Sequence, residues 1–207
     1  MKAIVRFEFD LARQDDPSGQ DPDFRISRAV SNPSPILRDA RIDEAEKLAA
    51  LKLETFRESF VEGGFAIPYP SDDLAMFEAA SYSPAKVAAQ LADPGHRTWI
   101  VTAADRMLAY AHVGPCKLPH PEVVSDAAEL YQIYVRGEAQ GLGIGRQLLT
   151  HALDYLARAR PGPVWLGVWS RNHRAQALYA AQGFARVGQY RFPVGSWEDE
   201  DYIFRRD

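Results

Sequence analysis

From about Pro35 the chain alternates between two hydrophobic rhythms. Ala45, Leu48, Leu51, Thr55 and Phe56 recur at helical spacing and predict a helix from about Ile42 to Phe60. Asp43 and Glu46, three residues apart, supply its N-terminal capping pair. Ahead of it, Ile36-Leu37-Arg38 reads as a short strand. Ser71-Asp72-Asp73 opens a second helical stretch and Ser83-Pro84 a third, with proline at the first helical position, where its missing N–H costs little. Then the pattern changes. Thr98 to Ala103 and Met107 to Val113 read as a hairpin around Ala104-Asp105. Leu130 to Val135 is a third strand, and Val164 to Trp169 a near-continuous apolar fourth, as expected of a buried central position. Between them a helix from Ile144 to Ala159 carries Leu148, Leu149, Ala152, Leu153 and Leu156 on one face. A last helix, Arg174 to Gln182, ends at Gly183, and Phe184 to Phe192 and Tyr202 to Arg205 complete the sheet. Strand, helix, strand, helix and two strands predict an α/β (α+β) fold around one mixed sheet, with no internal repeat.

Residues 1–34 differ. After a strand-like start, Ala3 to Phe9, the run Gln14 to Asp23 is polar and rich in Pro and Asp, and cannot bury enough surface to order itself. We read 1–34 as a flexible extension, or as the product of a start assigned too far upstream, and 35–207 as one domain. A length of 207 residues suits that division. The net charge of −4 argues against nucleic acid as a partner, because phosphate binding wants a basic surface. No segment has the apolar length of a membrane span, and the N-terminus lacks a signal peptide's apolar run, so the cytoplasm is the expected location. Cys116 is the only cysteine, which excludes an internal disulfide and a Cys-based metal cluster. At the end of an apolar run it reads as a buried structural thiol rather than a nucleophile. His96, His112, His120, His151 and His173 share no metal-ligand spacing, and no metal site is expected.

The chemistry concentrates at Gln140-Gly141-Leu142-Gly143-Ile144-Gly145, three alternating glycines between a strand and a helix. Such a loop brings bare backbone close to a ligand, with free N–H groups and the positive end of a helix dipole aimed at it. A pyrophosphate suits it, and Arg146 in the first helical turn adds a charge. The spacing is G-x-G-x-G rather than the G-x-G-x-x-G of dinucleotide sites, and the Gly-Lys-Ser/Thr ending of a P-loop is absent. A tight turn without a ligand is the alternative.

Gln140-x-x-Gly143-x-Gly145 matches the Q/R-x-x-G-x-G/A acetyl-CoA signature of the GNAT superfamily. Glu129 to Val135 resembles that family's fourth strand, and Asn172 to Phe184 resembles its N-x-x-A-x-x-x-Y-x-x-x-G-F segment. A narrower similarity, to PaiA-type spermine/spermidine N-acetyltransferases, rests on Trp165 to Trp169, Glu54 to Phe60, Phe192 to Gly195 and Asp201 to Phe204. The resemblance implies a GNAT fold: a mixed, mostly antiparallel sheet flanked by helices, its fourth and fifth strands splayed so that pantetheine inserts like an extra strand. It implies acetyl-CoA as cofactor, held by Ile133, Tyr134, Val135, Gln140, Gly141, Leu142, Gly143, Ile144, Gly145, Arg146, Asn172 and Tyr179, with a backbone N–H near Val135 polarising the carbonyl. It also implies an N-acetyltransferase working by direct transfer to a primary amine.

An alkylamine with a pKa of about 10.4 is almost wholly protonated at neutral pH, so a carboxylate or a water chain must take its proton. Glu129 stands where some family members carry a catalytic Glu, though strand-edge glutamates are usually solvated. Tyr179, a phenol with a pKa of about 10, can protonate the leaving thiolate without prior ionisation, while an aromatic on a helix is ordinarily core. Asn172 also reads as a helix N-cap. His120 is a candidate for the acceptor mouth. Asp72, Asp73, Glu58 and Glu62 form either an acidic acceptor site or a solvated helix face. The expected partner is a small amine such as a polyamine, with a homodimer left open. The other readings are a peptide, protein or other small-amine acceptor, an inactive acyl-CoA-binding module, and a dinucleotide oxidoreductase.

Overall fold

The computed structural model describes residues 34–207. The reading of 1–34 as an extension, including the strand-like start, lies almost wholly outside the described residues. Seven strands form one sheet: β1 (Ile36–Asp39), β2 (Arg97–Ala103), β3 (Arg106–Pro115), β4 (Ala128–Val135), β5 (Val164–Trp169), β6 (Ala185–Val194) and β7 (Trp197–Arg206), in the order β1-β2-β3-β4-β5-β7-β6. Every pairing is antiparallel except β4 with β5. That single parallel pair needs a crossover, supplied by α4 (Ile144–Ala159). The expected mixed, mostly antiparallel sheet flanked by helices is what the chain forms.

Two cores sit on opposite faces. On one, α4 lays Leu148, Leu149, Ala152, Leu153 and Leu156 against Leu130, Ile133 and Val135 of β4 and Leu166 and Val168 of β5, and α5 (His173–Ala181) adds Ala175 and Tyr179. On the other, α1 (Ala45–Arg57), α2 (Ser71–Tyr82) and α3 (Pro84–Ala92) cover Ile100, Tyr110 and Tyr134 with Leu48, Leu51, Phe56, Tyr82 and Val87.

Three local expectations need correction. The first helix begins as a 3-10 turn at Ile42–Glu44 and ends in a π turn at Glu58–Glu62. Its start is closed by Glu44, which accepts the Arg41 N–H at 3.0 Å, rather than by the Asp43–Glu46 pair. Glu44 prevails because it also receives the Arg38 guanidinium at 2.6 and 2.8 Å. The last strand starts at Trp197, not Tyr202. Its Glu-Asp-Glu-Asp run looks like a loop in sequence, yet Asp199 and Asp201 are buried in the ladder with β6.

Candidate active site

β4 carries the centre of the site because its side-chain alternation breaks. In the ladder with β3, His112 opposes Gln132 while Val113 opposes Leu130, which leaves Tyr131 as an extra residue. Ala128 and Leu130 face α4 before this bulge, Ile133 and Val135 after it. Glu129, Tyr131, Gln132 and Tyr134 therefore look toward the α1 face. A 2-3-2 spacing of apolar positions was the sequence trace of the bulge.

Beside it the sheet opens. β4 and β5 pair only at Ala128 with Val164 and Glu129 with Trp165, and then part. The N–H of Arg136 goes to Leu108 O on the β3 side. By alternation the N–H groups of Ile133 and Val135 point into the gap, as the predicted insertion of an extended ligand requires. At the mouth Gln140 turns its amide onto Val135 O at 3.0 Å, so it shapes the loop. Gly141 and Gly143 have φ of 81° and 77°, a region that disfavours side chains, and the space where a Cβ of Gly143 would stand is open. The first helical bond of α4 runs from Gln147 N to Gly143 O. The N–H groups of Ile144, Gly145 and Arg146 are thus left for a ligand. A groove of about 450 Å³ continues from Gly143 past Arg146 and Thr150 to Asp154. Leu142 is exposed at the loop tip.

Glu129 lies at the closed end of the gap and is 2% exposed. Its Oε2 accepts the Lys117 N–H at 2.8 Å. Burial raises its pKa to about 7, against the opposing pull of that hydrogen bond and the Lys117 charge. The Cys116 thiol, also bonded to Glu129, is pushed up to about 12, chiefly by burial, and stays protonated. Tyr179 of α5 lies in the core on the α4 side of the sheet, fully buried, its ring against Phe184. Its hydroxyl has no hydrogen-bond partner among the described residues, and burial pushes its pKa up. Asn172 caps α5, its side chain accepting the Ala175 N–H at 3.0 Å.

On the α1 face His120 leans on Trp165, the strand partner of Glu129, at 5.1 Å. Of the four acidic residues, Glu58 accepts the Gly137 N–H and Asp73 accepts the Ser196 hydroxyl, while Glu62 and Asp72 are exposed, as the solvated-face alternative expects. Two buried carboxylates come from β7. Asp199 binds the Tyr69 hydroxyl at 2.7 Å and the Trp197 indole at 3.0 Å, and Asp201 binds Tyr190. A groove of about 410 Å³ beside them is lined by Phe65, Trp169, Arg171, Arg191, Trp197 and Glu198 among others. Sequence reasoning also missed Lys52, 1% exposed on α1. Its signal was present: it sits four residues after Leu48, inside the apolar stripe. Among the described residues no group of His, Cys, Asp and Glu could hold a metal, and no helix is long and apolar enough to cross a membrane.

Comparison with known proteins adds independent findings. The model of the acetyltransferase (GNAT) family matches residues 54–184. An uncharacterized N-acetyltransferase of Mycobacterium bovis is 31% identical over 170 residues, covering 79% of this chain and 97% of that one. The ribosomal protein bS18-alanine N-acetyltransferase of Salmonella typhimurium is 34% identical over 105 residues, covering 50% of this chain and 66% of that one. Among solved structures, the PaiA N-acetyltransferase of Thermoplasma acidophilum, in complex with coenzyme A, superposes with a TM-score of 0.66 at 18% identity, over 84% of this chain and 99% of that one.

Proposed function

The chain belongs to the GNAT acetyltransferase family, and from that premise we propose that it transfers an acetyl group directly to a primary amine, with Glu129 as base and Tyr179 as acid. Acetyl-CoA, the donor this family uses, supplies an acetyl thioester when bound. The residues fit it. The gap between β4 and β5 admits a thin extended arm, the N–H groups of Ile144, Gly145 and Arg146 receive a pyrophosphate, and Tyr179 has a buried hydroxyl in want of a partner. Asn172 and Leu142 would border the same molecule.

The observation that best supports the assignment is that Glu129, at the paired end of the β4–β5 gap, and Tyr179, in the core beneath α4 with an unpartnered hydroxyl, are both buried ionisable groups. Glu129, near pKa 7, accepts a proton from the acceptor ammonium at its carboxylate oxygen. The Ile133 and Val135 N–H groups orient the carbonyl oxygen. Tyr179, held protonated by burial, gives its phenolic proton to the departing sulfur. The protonated Cys116 thiol makes a poor nucleophile, which supports direct transfer over an acylated enzyme.

For the acceptor, the buried carboxylates Asp199 and Asp201 beside Trp169 and Trp197 support a polyamine. Arg171 and Arg191 in the same groove support a second reading, a peptide or amino-acid amine that also carries an anionic group. Release of coenzyme A thiol from acetyl-CoA, followed against spermidine, spermine, amino acids and alanine-terminated peptides, separates them. Turnover confined to polyamines selects the first and turnover confined to peptides or amino acids the second. Coenzyme A binding without turnover on any of them would overturn both.

A further inference from the structure

A third cavity, of about 380 Å³, opens between α2, α3, the loop after β3 and β4. It shares no lining residue with the groove along α4 or with the one beside Trp169 and Trp197. Acetyl transfer as proposed above makes no use of it.

Its charged groups are mostly donors. Lys86 of α3 and Lys117 after β3 line it, and neither has an ion-pair partner among the described residues. Elsewhere on the surface, Arg38, Arg57, Arg106 and Arg205 each meet a carboxylate at 2.6 to 2.8 Å. The Lys117 ammonium lies instead over the Tyr131 ring, 5.6 Å from its centre. His96 supplies a third donor. Its side chain is 10% exposed, and its Nδ1 is taken by His112 Nε2 at 3.0 Å. Its Nε2 stands 3.8 Å from Asp93 Oδ2, beyond hydrogen-bond reach. Burial, helped by the Lys117 charge, holds the His96 pKa below its usual value, so at neutral pH the ring presents a single N–H. The nearby Asp93 carboxylate favours that hydrogen on Nε2. Asp93 is the acidic group in the lining, and its Oδ1 is already committed to the Gly95 N–H at 2.8 Å.

The rest of the wall is apolar: Phe77, Ala80, Ala89 and the ring of Tyr131, which stacks on His96. A cavity of this size with an aromatic wall and a few polar groups has the form of a small-molecule site. We propose that it binds a small carboxylic acid with a flat apolar body. The carboxylate takes the His96 Nε2–H and the charges of Lys86 and Lys117, and the body lies against Phe77 and the two alanines. Inorganic phosphate, strongly hydrated, would gain nothing from the apolar half. The site stands independently of the acetyl-transfer reading. It adjoins the proposed base through Lys117, whose backbone N–H holds Glu129 at 2.8 Å.

Benzoate is the probe, titrated into the full chain while the imidazole signals are followed by NMR, with His96 identified by its loss in His96→Gln. A saturable shift of the His96 signal is expected, with a Kd on the order of 1 mM. Lys86 is exposed on α3, so Lys86→Gln should melt like the wild type yet bind benzoate about tenfold more weakly. Saturating coenzyme A should leave the shift in place, and inorganic phosphate should not reproduce it. Absence of a saturable shift, or an unchanged affinity in Lys86→Gln, overturns the site. Displacement by coenzyme A would move the anion to the donor groove, and phosphate binding as tightly as benzoate would remove the apolar half of the recognition; either result overturns the proposal.

Discussion

The two faces of the sheet bury different things. The α4 face is almost purely apolar: five residues of α4 meet Leu130, Ile133, Val135, Leu166 and Val168, and the hydroxyl of Tyr179 is a polar exception. The α1 face buries Lys52, His112, Glu129, Gln132, Asp199 and Asp201 among its apolar groups. Each buried polar group is unfavourable unless its partners compensate, and a charged one more so. The contrast is the one the proposed function needs, with an apolar α4 face as scaffold for the donor and the proton handling and acceptor recognition proposed above drawn from the α1 face.

The largest expected effect tests that division at Glu129. Glu129→Gln keeps an acceptor for the Lys117 N–H and removes the base, so kcat/KM should fall about 10²-fold or more. With Glu129 as the proposed base, wild-type activity should rise with pH through about 7 before levelling, as the carboxylate deprotonates. That limb should vanish in the variant. An unchanged pH–rate profile would remove Glu129 from the mechanism. Tyr179→Phe comes next, with kcat about tenfold lower and KM for acetyl-CoA held. Because the hydroxyl has no partner among the described residues, the variant should be no less stable. Full turnover would make Tyr179 part of the scaffold after all.

The two faces also differ in how far the sequence revealed them. α4 was legible nearly to the residue, because its apolar stripe is uninterrupted and the glycine loop ahead of it has one reading that suits a strand-to-helix turn. Glu129, Tyr179 and Asn172 stand out in the sequence through motif spacing, and all three are buried. The α1 face was not legible. The Trp197-to-Asp201 stretch reads as loop because strand propensity cannot foresee that Asp199 will be satisfied by Tyr69, 130 residues away in sequence. The partners of Glu58 and Asp73 were hidden for the same reason, since they are set by tertiary contacts. For Lys52 the apolar stripe around it was the signal, and a lysine's usual exposure conceals it.

Lys52 gives a third, smaller effect, read in stability. Its pKa is lowered on folding to about 7, so between pH 7 and the unfolded value of 10.5 the unfolded chain binds the extra proton. Stability from this group is therefore full above that window and lost as pH falls through about 7. Lys52→Met removes the ammonium but also removes its hydrogen bond to the Gln132 oxygen at every pH. Only the pH-dependent part reports the buried charge. Thermal melts at pH 6.5 and 9.5 should show the variant gaining a few degrees relative to wild type at the lower pH. A difference that does not change with pH would mean that the ammonium is hydrated, and that this face is less dry than its burial implies.

The smallest effect falls on the α4 side, where Asn172 has two roles that must be separated. As the N-cap of α5 it satisfies the Ala175 N–H, and Asn172→Ala should cost about 1 kcal/mol in denaturant unfolding. Serine is nearly as good a cap but lacks the amide. Asn172→Ser should therefore recover the stability while leaving any cofactor contact of the amide broken. If Asn172→Ser binds coenzyme A as tightly as the wild type, the residue only starts the helix that positions Tyr179. If affinity stays low once stability is restored, the amide itself reaches the cofactor, and the donor face holds a second polar group that acts directly on its ligand.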